Sequence, residues 1–179
     1  MNILSPMYVT ALVVFMNLVA LNTAQAASSK EADALTAAKV SLVQAVDMLE
    51  KDGKSKTVGA EFDIEKDAAI WEVKMLGDAG VMEYKVDANT GMIVKIEDEH
   101  IQGRLMSFIT GMKMQDLQNE KLSLAKAVGM AEKKFGGKAI KVQIEHEKNS
   151  IQYDIFVYTP TGTHKYKIDA MSSKVLKQS

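Results

Sequence analysis

Histidine, methionine and carboxylate side chains are the groups that could do chemistry here, because the 179-residue chain has no cysteine. A thiolate nucleophile, a thiolate metal site and a disulfide framework are thereby excluded. His146 and His164 could share a metal ion through their imidazole nitrogens. Alternation puts both on one face of a sheet, but His146 closes one strand and His164 opens the next but one. Those strands run parallel in an up-down-up meander, so the two rings belong at opposite ends and read as edge-of-core residues. His100 stands alone. Met106, Met112 and Met114 could offer soft thioether ligands to Cu(I). The same segment carries Ile101, Leu105, Phe108, Ile109 and Met112 at helical spacing, which is the pattern of a packed helix face. Asp87 and Asp169 could suggest paired acids for hydrolysis. Each heads a turn after a strand, where a carboxylate accepts backbone N–H bonds instead. There is no glycine-rich phosphate loop and no basic aromatic surface for RNA. The expectation is a protein with no catalytic residue, no metal and no cofactor.

Positioning any such groups requires a folded domain, and the composition provides for one. Apolar residues make up 47% and charged residues 25% of the chain, with a net charge of −1. That is globular composition with no overall field to attract nucleic acid. The charge is divided unevenly, however: about −5 over residues 27–97 and about +5 over 122–179. Opposite fields of this kind could hold two units together or steer two partners.

Residues 1–26 contain no Asp, Glu, Lys or Arg. Val9 to Leu21 is an apolar run of about 13 residues, short for a membrane span of ~20 and suited to a signal-peptide core. Ala24-Gln25-Ala26 follows with small residues at −3 and −1, which places cleavage between Ala26 and Ala27. The leader lacks the usual Lys or Arg before its apolar core, and an uncleaved anchor is the rival reading. The expected location after cleavage is periplasmic or secreted, with no stable membrane span.

The remainder repeats itself at an offset of 82 residues. Ala45-Val46-x-Met48-x-Glu50-Lys51 falls on Ala127-Val128-x-Met130-x-Glu132-Lys133, and Tyr84-Lys85-x-Asp87-Ala88 falls on Tyr166-Lys167-x-Asp169-Ala170. About 16 of 57 positions are identical without a gap, which is a duplication. Each unit opens with a serine cap, Ser41 or Ser123, followed by a helical stripe. The apolar period then drops to two. Val58, Ala60, Phe62 and Ile64 form one strand, Trp71, Val73 and Met75 a second, and Met82, Tyr84 and Val86 a third, with counterparts at Ile140–Ile144, Tyr153–Val157 and His164–Ile168; short final strands run near Met92–Ile96 and Lys174–Lys177. Short links forbid crossovers, so each sheet is an antiparallel meander under one helix. The expected organisation is α+β: leader 1–26, unit one 27–97, an amphipathic helical linker 98–121 and unit two 122–179, each unit one helix on three to four strands.

This helix-plus-meander, closed by Tyr84-Lys85-Val86-Asp87-Ala88-Asn89-Thr90-Gly91, resembles the PepSY domain in a cystatin-like arrangement. The second copy keeps Tyr166 and Asp169-Ala170 but has Ser173 where glycine is usual, so that serine must take positive φ or another turn. The resemblance makes Trp71, Tyr84, Asp87, Gly91, Tyr153, Tyr166 and Asp169 structural motif residues. It implies a non-enzymatic binding role, with restraint or regulation of a peptidase or another protein of the cell envelope as the leading reading. A small-ligand or copper-responsive envelope module is the alternative. Phe156 and Tyr158 share the face opposite Tyr153, Ile155 and Val157, which makes them a candidate partner surface.

The export reading has a direct check. Mass spectrometry of the protein from envelope extracts should find Ala27 as its first residue; intact Met1 in the membrane fraction would establish an anchor instead.

Overall fold

The computed structural model describes residues 29–78, 80–98, 112, 114–147 and 150–179. The leader with its Ala26–Ala27 junction, His100, and the linker residues Ile101, Leu105, Met106, Phe108 and Ile109 lie outside the described residues.

Capping sets the helices. The Gln44 N–H donates to Ser41 Oγ at 3.2 Å and the Ser41 N–H donates to Gln44 Oε1 at 2.8 Å, a reciprocal capping box. It opens α2 (Leu42–Glu50), which follows a first helix α1 (Ser29–Ala37). Strands β1 (Ser55–Glu65), β2 (Ala68–Gly77), β3 (Gly80–Asp87) and β4 (Ile93–Asp98) complete the first half. The second half repeats the order: α3 (Met114–Gln118), α4 (Leu124–Phe135), β5 (Lys138–Glu147), β6 (Ser150–Thr159), β7 (Gly162–Asp169) and β8 (Val175–Gln178). Ser123 caps α4, and Gly136 at φ 71° ends it in the left-handed region that a side chain would strain. Lys66 and Asp67 between β1 and β2 both have positive φ, 46° and 70°, the two-residue turn whose twist matches a hairpin.

The two expected meanders are one sheet. Its order is β4-β3-β2-β1-β5-β6-β7-β8, with every neighbouring pair antiparallel. The join is β1 against β5, in the register Gly59↔Gln143, Ala60↔Val142 and Glu61↔Lys141. Ala60 and Val142 are equivalent residues under the 82-residue offset, so a local pseudo-two-fold axis passes through that pair. The α2 stripe of Leu42, Ala45 and Val46 and the α4 stripe of Leu124, Ala127, Val128 and Ala131 pack with the strands in a single buried cluster spanning both halves.

Helix α1 goes beyond the one helix per unit read from the pattern, and α3 falls within the expected helical linker 98–121. They are themselves equivalent: Leu35 and Leu117, 82 residues apart, are 2% and 1% exposed. The α1 stripe is too short to stand out in sequence. Lys138 on β5 donates from Nζ to the carbonyls of Leu35 (3.1 Å) and Thr36 (3.0 Å), so a cation from one half closes a helix C-terminus of the other. Within the expected linker helix, Met112 is buried, and the helix described there is the five-residue α3.

Candidate protein-binding surface

The repeated motif residues hold the chain in place. Asp87 Oδ1 accepts the N–H groups of Asn89 (2.9 Å) and Thr90 (2.8 Å) and the Thr90 hydroxyl (3.0 Å). Asp169 Oδ1 does the same for Met171 (3.1 Å), Ser172 (2.7 Å) and the Ser172 hydroxyl (2.8 Å). Bonds to the charged form favour it, so both carboxyls sit below the usual aspartate range: Asp87 through Thr90 and Asn89, Asp169 through Ser150 and then Ser172. They belong to separate units and form no acid pair. Gly91 (φ 75°) and Ser173 (φ 59°) occupy the same left-handed turn position, so the serine accepts the strained conformation.

The next residue explains the Asp-Ala pair. Ala88 and Ala170 are fully buried. The Ala88 carbonyl accepts the N–H groups of Lys39 (3.1 Å) and Val40 (2.9 Å), and the Ala170 carbonyl those of Lys121 (3.2 Å) and Leu122 (3.0 Å). Each turn is thus tied to the segment entering its helix. The aromatic side chain of the second strand completes the tie. Trp71 Nε1 donates to the Val40 carbonyl at 2.8 Å, and the Tyr153 hydroxyl donates to the Leu122 carbonyl at 3.1 Å. Val40 and Leu122 are equivalent, so Trp and Tyr perform one task with different donors. Tyr166 is buried edge-on to Phe135, and Tyr84 is half-buried against the core.

Tyr153 also donates to the Glu120 carboxylate. Burial pushes the Glu120 carboxyl above its usual value despite that bond, and burial with the nearby Glu120 charge pushes the Tyr153 phenol up. The histidines are apart. His146 is in register with Ile151 and His164 with Val157, six residues along β6, roughly 20 Å at the strand rise. His164 stacks on Phe135 at 4.7 Å, as a core-edge ring does.

The sheet face opposite the helices is a lattice of charge. In the first half, Lys85 Nζ donates to Glu65 and to Glu72 (2.9 Å), with Glu83 and Glu97 each at 3.8 Å. Those carboxylates hold the Lys85 ammonium above its usual pKa, while burial raises Glu72. Asp63, Glu65 and Glu72 bring ligand-capable oxygens within 4.8 Å of one another, and Lys85 is the cation that answers two of them. In the second half, buried Asp154 meets Lys165 at 2.5 Å and Lys167 at 3.5 Å, and Lys167 meets Glu145 at 2.5 Å. Burial raises the Asp154 carboxyl. Phe156 and Tyr158 lie on this face but are half-buried: Lys165 Nζ sits 5.4 Å from the Phe156 ring centre, and Tyr158 packs against the core. Among the described residues the largest apolar exposure lies elsewhere, on β4 and the turn before it, where Met92, Ile93, Val94 and Ile96 are all about half exposed or more. Pattern reading treated this strand as a short closing element and missed its exposure. The signal present was an unbroken Met-Ile-Val run where the second unit has Lys-Val-Leu.

The charged sheet face and the two outer edges are the surfaces that this arrangement presents among the described residues. The family profile for the peptidase propeptide and YPEB domain, PepSY, matches residues 39–97 and again 121–179. The chain belongs to the PepSY family, with two tandem copies at the same 82-residue offset as the internal repeat. Domains of this family are typically non-catalytic propeptide or regulatory units, and no catalytic family is indicated. A crystal structure of a protein described as a lipoprotein from Clostridium difficile 630 is similar at 19% identity, covering 79% of this chain and 93% of that one, with a TM-score of 0.49. No curated protein matches the chain.

The buried Glu120–Tyr153 pair gives a pH signature. A carboxyl raised by folding stabilises the folded state fully below the unfolded value of about 4.3, and that contribution is lost as pH rises through the folded value. Glu120→Gln keeps an acceptor for Tyr153 without the charge. Its stability relative to the parent should therefore increase as pH rises above the unfolded value of about 4.3 in denaturant titrations. A difference independent of pH would contradict the raised value.

Proposed function

We propose that the chain is an exported, non-enzymatic PepSY protein of the cell envelope that binds a peptidase or another envelope protein and restrains it. One observation carries this reading. Trp71, Tyr153, Asp87, Asp169, Ala88 and Ala170, at motif positions in both copies, are engaged in holding turns and helix entries. The duplicated motif therefore makes a scaffold, and what remains for function is the surface of the sheet. Duplication also gives two unlike surfaces from one architecture, one half acidic and one basic. Export rests on the leader pattern of residues 1–26. No helix among the described residues is long and apolar enough to cross a membrane. For the copper-responsive alternative, Met112 is buried in the core, which favours packing over ligation at that position.

Affinity capture of the mature protein from its own envelope extract tests the proposal. A peptidase or other envelope protein should be enriched over a mock column, and adding purified chain to a captured peptidase should lower its turnover. Peptide hydrolysis by the purified chain alone, or capture of no envelope protein, would overturn the reading.

A further inference from the structure

The two halves are built alike, so each outer edge of the sheet serves as a control for the other. β4 ends the sheet on one side and β8 on the other. At equivalent positions, Met92, Ile93, Val94 and Ile96 on the first side face Lys174, Val175, Leu176 and Gln178 on the second. The first four are 68%, 48%, 57% and 52% exposed. An edge strand carries unpaired N–H and C=O groups that recruit further strands, and lysine is the usual protection. β8 has Lys174 and Lys177 at or beside it. β4 has Lys95, whose ammonium is held by Glu97 at 2.7 Å.

The two faces of the β4 edge differ in chemistry. Ile96 is in register with Tyr84 and Ile93 with Val86, both of which pack on the core, so Ile93 and Ile96 line the helix-covered face, while Val94 sits at the register shift between them. Lys95 and Glu97 are in register with Lys85 and Glu83 on the open face. That face in the first half holds Glu61, Asp63, Glu65, Glu72, Glu83 and Glu97 against Lys74, Lys85 and Lys95, an acidic excess among the described residues. A strand that continued this sheet would therefore need apolar side chains on one side and cations on the other.

We infer that β4 is a docking edge for an extended segment of a partner protein with alternating apolar and basic residues, added to the sheet as a ninth strand. The inference rests on the protein-binding reading above and specifies the segment bound. A second copy fits less well, because pairing β4 with β4 would set two acidic halves against each other.

Two seven-residue peptides test it against the full chain at low salt, one alternating valine with lysine and one alternating valine with glutamate. The valine–lysine peptide should bind and the valine–glutamate peptide should not. Ile96→Lys should weaken binding about tenfold or more, and Leu176→Lys on β8 should leave it unchanged. Ile93→Lys, at a half-exposed site on the same face, repeats the test if Ile96→Lys unfolds the chain. Equal binding of both peptides, no binding of either, or equal loss from the β8 variant would overturn the inference. So would a parent dimer in sedimentation that Ile96→Lys converts to monomer, since the occupant would then be a second copy. If envelope capture succeeds equally with parent and Ile96→Lys, the protein-binding reading stands and the edge assignment falls.

Discussion

The antiparallel contact between β1 and β5 is the constraint on which the rest of the molecule depends. Alone, each half is a four-stranded sheet with one helix-covered face and two open edges. Joining them at Ala60 and Val142 removes one edge from each and lets α2 and α4 close a single core. The same contact lets Lys138 reach the carbonyls of Leu35 and Thr36, and sets Lys56 near Glu120, which pairs with Tyr153. The equivalence of the joining residues has a simple cause: two copies of one sheet can pair like edges only about a two-fold axis. Direct charge attraction across the β1–β5 ladder is the Glu61–Lys141 pair at 2.7 Å, a partly exposed bond of modest worth. Backbone pairing and apolar burial dominate the join, and the acidic–basic division is left for the outer surface.

Within each half a second constraint repeats. The buried carbonyl of Ala88 or Ala170 takes two N–H groups from the residues entering the helix, which would otherwise be unsatisfied inside the core. The aspartate before it fixes the turn, and the aromatic residue of the second strand satisfies the following carbonyl. A motif of Asp-Ala, a left-handed turn residue and a strand aromatic is thus one device for tying a hairpin end to a helix start. Ser173 shows how much the device tolerates: it keeps the turn at φ 59° in a residue without glycine's freedom.

Much of this was legible in the chain. Serine caps, the switch from helical to alternating periodicity and the 82-residue repeat located α2, α4 and the eight strands, because those signals are local. The aspartate turns followed from residue type and position. The merging of the two sheets was not legible, since pairing between β1 and β5 depends on which edges meet across about 80 residues, and alternation is the same for an edge and an interior strand. α1 escaped notice because it buries Leu35 in a stripe too short to show a period, whereas α3 lies within the helical linker read from the pattern. Phe156 and Tyr158 are half covered by cross-strand neighbours, while among the described residues the apolar run at Met92–Ile96 is more exposed than either. Burial by neighbouring strands is a tertiary quantity, and residue type alone does not give it.

The join itself can be tested in a single molecule. The chain has no cysteine, so Glu61→Cys with Lys141→Cys introduces the sole pair of thiols at two positions in register across β1 and β5. Mild oxidation should give an intramolecular disulfide in the monomer, visible as a faster non-reducing gel band that reductant reverses. Free thiols after oxidation, or cross-links only between molecules, would mean that the halves do not share one sheet.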